Sequence, residues 1–174
     1  MGKSKASLYK ILIERLELAL SMGFYLEACW LAHAIFEDRT RSIVANSGDG
    51  TEHGKALATK IATIKERFEK TKTLVVNGKT VKNKKSGQKE KIPKWHKLHT
   101  VDIRVFDRLD KWRQDRNDLA HGLATGEMTH DQILDDSKEL AERAKTLTRE
   151  VCAAARRVKK HATLASAQNA EITD

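Results

Sequence analysis

The chain has 174 residues, 40% of them apolar and 33% charged, with one proline and nine glycines. That balance describes one soluble domain with a packed core, and no apolar run approaches the ~20 residues that a membrane-spanning helix requires. Nothing near Met1 resembles a secretory leader, so the expected location is the cytoplasm. There Cys29 and Cys152, both set among apolar neighbours, are small buried hydrophobes rather than disulfide partners.

With so few helix breakers, the expected fold is all-α: an up-and-down bundle of about five helices, with a small lysine-rich hairpin or loop inserted between the third and fourth. Residues 5–22 read as the first helix, because Leu8, Ile11, Leu12, Leu16 and Ala19 recur at helical spacing and Gly23 follows as a break. The second, from about Phe24 to Ala45, is apolar almost all round between Ala28 and Phe36, which predicts the most buried element. His33 within it is expected to be a core histidine with no chemistry. Beyond Phe36 the helix turns charged, with Glu37, Asp38, Arg39 and Arg41 forming a solvated end; the less favoured alternative turns Glu37 or Asp38 toward Arg116. Residues 45–50 are a loop by composition. A third helix carries Leu57, Ile61, Ile64 and Phe68 and is expected to end at Glu69-Lys70.

Residues 70–97 then hold ten lysines and one acid, Glu90, a local charge of +9 that equals the net charge of the whole chain. The basicity is thus confined to one insertion. Its first part, from Leu74 to Val81, places Asn77-Gly78 between β-branched residues, a hairpin signal. Lys82, Lys84, Lys85, Lys89 and Lys91 form an arm suited to phosphate contact rather than base readout, and Trp95 is the nearby ring able to stack on a base. His96 and His99 have no third ligand at a recognisable spacing, so no metal is expected, nor any organic cofactor.

From Val101 to Ala120 a fourth helix sets Val105, Leu109 and Trp112 on one apolar stripe, and Arg116 and Leu119 continue it. A guanidinium at a core position needs a carboxylate, a phosphate or another protein surface facing it, since burying it unpaired costs several kcal/mol. Asn117 and His121 are i, i+4 neighbours to which the long Arg116 side chain could reach back, and Gly122 suits the left-handed residue that closes a helix. Cation plus titratable imidazole is what phosphodiester cleavage needs: arginine holds the charged phosphate and histidine moves the proton. The competing reading places Arg116 in a surface ion pair with Asp115 or Asp118 and makes His121 simply a helix-ending residue. After a connection over 123–128, Thr129 and Gln132 form a capping box. The last helix runs to about His161 on a seven-residue repeat of Ile133, Leu140, Leu147 and Ala154, followed by a frayed tail over 165–174.

The segment Arg116-Asn117-Asp118-Leu119-Ala120-His121-Gly122, at the end of a helix in a small all-helical chain, resembles the signature of the HEPN superfamily. That signature is an arginine, usually followed by a polar residue, with a histidine four to six positions further on. The resemblance implies a single helical domain that homodimerises and brings both copies of the motif into one cleft. Many members are metal-independent endoribonucleases of toxin–antitoxin, abortive-infection and antiviral systems. Carried over, Arg116 would hold the scissile phosphate of an RNA, His121 would act as general acid or base, and Asn117 would orient one of them. A neutralising partner protein is also implied. Where members silenced by nucleotidyl transfer have a tyrosine two residues after the histidine, this chain has Leu123, which speaks against that route of control. Two other classes stay open: a non-catalytic HEPN-like module that binds nucleotides or a protein, and a basic accessory subunit that holds nucleic acid for another enzyme.

Overall fold

The structure, a computed structural model, describes residues 5–48, 55–76 and 98–170. It is all-α. Five helices, α1 (Lys5–Ser21), α2 (Tyr25–Asn46), α3 (Leu57–Val76), α4 (Arg104–Thr125) and α5 (His130–Ala170), account for nearly all of it, with a single 3₁₀ turn over 98–100 and no strand among the described residues. None of these helices is long and apolar enough to cross a membrane. The chain divides into two compact units, residues 1–39 with 104–152 and residues 40–103 with 153–174, so α2 and α5 each contribute to both.

The first unit contains the motif. Its cross-contacts run in opposite numerical order on each pair of helices, which makes the pairs antiparallel. On α1 and α2, the Tyr9 hydroxyl donates to Asp38 while Arg15 pairs with Glu27. On α2 and α4, Phe36 meets Trp112 edge-on and Trp30 lies near Arg116. On α4 and α5, Arg108 pairs with Glu150 and Asp115 with Arg143. The core between them is built from Leu16, Phe36, Phe106, Leu109, Trp112 and Leu140, each at most 3% exposed. The stripe on α4 is buried as the spacing predicts: Val105, Leu109, Trp112 and Leu119 all point inward. Trp112 also satisfies its own polar atom, its indole N–H donating to the Leu140 carbonyl at 2.9 Å.

In the second unit Ile43, Val44, Leu57, Ile61 and Ile64 form the core with Val158 of α5. Arg67 reaches the end of α2, where its guanidinium donates to the Val44 carbonyl at 2.8 Å and to the Ser47 hydroxyl at 3.2 Å, placing a cation against the negative helix terminus.

Three helix ends differ from the sequence reading. Helix α3 runs on to Val76, so Leu74-Val75-Val76 are helical rather than the first arm of a hairpin; the rest of the insertion lies outside the described residues. Helix α4 passes through Gly122 to Thr125, and the left-handed residue is Gly126 (φ +70°), as Gly23 (φ +76°) is after α1. Gly122 is instead a contact: Met128 packs against its bare backbone, and a methyl group there would run into the thioether. Helix α5 continues past His161 to Ala170. The capping box is present as read, with the Thr129 N–H donating to Gln132 Oε1 at 2.8 Å and the Gln132 N–H to Thr129 Oγ1 at 3.3 Å.

Candidate functional site

Because α4 continues a full turn past His121 to Thr125, that residue sits within the helix rather than at its end. Five residues at about 100° each put its side chain about 140° round the axis from Arg116. The two motif residues therefore face different surroundings.

Arg116 turns toward α2. Its guanidinium carbon lies 5.8 Å from the centre of the Trp30 ring, and its Nε is buried with no hydrogen-bond partner. Among the described residues it makes no ion pair. Asp115, the neighbour that a surface pair would use, is taken: Lys111 approaches it at 2.7 Å and Arg143 at 2.6 Å. Burial would raise the Asp115 carboxyl, but the hydrogen bonds from Lys111 and Arg143 outweigh it and hold the group below its ordinary range. Burial, followed by the charge of Arg113, pulls Arg116 down from the usual arginine range, against the opposing influence of Cys29 and Glu37. A half-buried cation is thus left without a carboxylate at contact distance, where ordinary proteins provide one.

Glu37 instead meets His33, 4.0 Å from its Nε2, while Asp38 engages Tyr9 and Arg39. The alternative in which one of these acids pairs with Arg116 is not realised as an ion pair. His33 is partly exposed rather than a core residue, its ring set edge-on to Trp30 at 6.3 Å. Cys29 is buried one position before Trp30, and burial pushes its thiol up to about 12 against the pull of Arg116. It stays protonated and inert as a nucleophile. Cys152 is likewise buried and in no disulfide.

His121 is exposed on the α5 side, at a cleft of about 550 Å³ that Leu119, Met128 and Leu140 also line. Five carboxylates, those of Asp115, Asp118, Glu127, Asp136 and Glu139, border that cleft, and Arg143 is the cation among them. Asn117, half-buried, lies on the helix surface between the two motif positions. Within one chain, then, the guanidinium and the imidazole are carried by the same rigid helix but not brought together. Lys82, Lys84, Lys85, Lys89, Lys91 and Trp95 lie outside the described residues. No group of His, Cys, Asp and Glu among the described residues is arranged to hold a metal ion.

Sequence reasoning missed Trp30. The run from Ala28 to Phe36 predicts burial all round, and Ala28, Cys29, Ala32, Ile35 and Phe36 are buried, yet Trp30 is 63% exposed. The signal was available in the register, since Trp30 shares a helix face at i+7 and i+11 with Glu37 and Arg41, both read as solvated.

The missing partner of Arg116 has a measurable consequence. Arg116→Met keeps the aliphatic stem and removes the uncompensated charge, and it is expected to raise the melting temperature by roughly 2–4 °C, the equivalent of about 1 kcal/mol in a chain of this size. A fall in melting temperature would show that the guanidinium is already satisfied.

Comparisons with protein-family models, with curated proteins and with solved structures return no match.

Proposed function

We propose that the protein is a HEPN-type, metal-independent endoribonuclease of the cytoplasm, working as a symmetric dimer in host defence or as a toxin restrained by a partner. The observation that carries this reading is Arg116: a half-buried guanidinium without a counter-ion, on the same helix as an exposed imidazole five residues on. Such a cation is stabilised by a phosphate.

In the proposed reaction the ribose 2′-oxygen attacks the adjacent phosphorus and the bond from phosphorus to the 5′-oxygen breaks. A His121 imidazole removes the 2′-hydroxyl proton or delivers one to the departing 5′-oxygen, the other task falling to water. Arg116 neutralises charge gathering on the non-bridging oxygens. The products are a 2′,3′-cyclic phosphate and a 5′-hydroxyl. A second subunit supplies what one chain lacks, because the two motif side chains leave α4 in different directions.

The test is direct. Purified protein is expected to cleave single-stranded RNA in the presence of a chelator, and His121→Ala to abolish cleavage, a loss of about 10²-fold or more, with little change in melting temperature. RNA left intact by a correctly folded dimer would count decisively against the proposal.

One observation favours a second reading, a non-catalytic module that binds nucleotides. The carboxylates around His121 repel a phosphate backbone unless the partner subunit or the substrate approaches from the Arg116 side. That reading expects nucleotide binding to be unchanged in His121→Ala and no cleavage by the wild type.

A further inference from the structure

Trp30 is the largest exposed side chain of the first unit, and it stands beside the one guanidinium that the nuclease reading assigns to phosphate. Nothing in folding requires an indole there. It interrupts the buried run on α2, lies 63% open to solvent, and among the described residues makes an edge contact with His33 and a loose approach to Arg116. An exposed aromatic ring adds little to stability, but it is a good platform for a flat, π-rich ligand. Arg113, held by Asp110, adds a second positive charge to this side of α4.

We infer that Trp30 and Arg116 form one nucleotide subsite, in which an unpaired nucleobase stacks on the indole while the guanidinium takes the phosphate of the same or the adjoining nucleotide. The inference rests on the proposed function and deepens it. The subsite admits single strands, since a base within a duplex has both faces covered and cannot reach the ring. It tolerates all four bases, because every base has a π-face to lay on the indole. Trp30 acts through positioning: it sets which phosphate lies against Arg116.

The experiment uses the full chain carrying His121→Ala, so that RNA survives, and Trp95→Phe, so that emission comes from Trp30 and Trp112. Titration with a short single-stranded oligoribonucleotide is expected to quench the fluorescence. Adding Trp30→Ala should weaken binding about tenfold and remove most of the quench, Trp30→Phe should restore most of the affinity, and sedimentation should show one oligomeric state for all variants. With His121 intact, Trp30→Ala should raise KM for single-stranded RNA. Unchanged affinity in Trp30→Ala overturns the subsite. So does a loss of binding that comes with a change of oligomeric state, which would make Trp30 a subunit contact instead. The two proposals fail separately: a wild type that does not cleave RNA but binds it through Trp30 removes the nuclease alone, whereas a wild type that cleaves while Trp30→Ala binds normally removes the subsite alone.

Discussion

Trp112→Ala is expected to destabilise the protein by about 3–5 kcal/mol, the range for deleting a fully buried large aromatic side chain. The residue is inaccessible to solvent, its ring packs edge-on against Phe36 at 5.0 Å, and its N–H is bonded to Leu140, so a single side chain ties α4 to both α2 and α5. Alanine leaves a void that neighbours on three helices cannot close without moving their backbones. Trp112→Phe separates the contributions: it keeps most of the packing and loses the N–H bond, for a cost of about 1–2 kcal/mol. Urea unfolding measures both. An alanine variant within about 1 kcal/mol of wild type would mean that α4 is held by other contacts. Arg116 lies one turn further along the same face, so the alanine variant should also lose the site before the chain unfolds.

Two inactive variants are expected to rescue one another. If each catalytic centre takes Arg116 from one subunit and His121 from the other, a mixed dimer of Arg116→Ala and His121→Ala subunits has one centre lacking both residues and one retaining both. Equal mixing followed by subunit exchange gives about half mixed dimers, each with one working centre, hence roughly a quarter of wild-type activity. Either variant alone should be at least 10²-fold below wild type. A mixture that exchanges subunits, as shown by sedimentation of tagged chains, and remains inactive would mean that both residues serve from the same chain. The angular separation on α4 is what makes the trans arrangement the expected one.

Much of this was legible in the residues themselves. Apolar spacing located α1, α2, α4 and α5, Gly23 marked a real break, and Thr129 with Gln132 formed the cap that their separation of three residues predicts. The end of α4 was not legible, because a glycine closes a helix only when nothing else favours carrying on. Here Met128 occupies the space that Gly122 leaves, and Gly126 takes the left-handed turn. The extension of α3 over Leu74-Val75-Val76 was hidden by the β preference of valine, which local context overrides. An all-apolar stretch such as Ala28 to Phe36 says that a helix is central but not which of its faces lacks a neighbour, so Trp30 went unnoticed. The motif identified Arg116 and His121 as a pair; only the three-dimensional arrangement separates their surroundings.

The joint between α4 and α5 bears on how such an activity could be switched. Only four residues, Gly126 to Thr129, join the helices, and they are stapled by a left-handed glycine at one end and a reciprocal cap at the other, with Met128 clamped on Gly122. That corner has no slack from which to make a flap over the imidazole. Silencing at His121 would then come from another molecule lodging in the cleft or from keeping the subunits apart, so control would rest on concentration and company rather than on a movement of this corner.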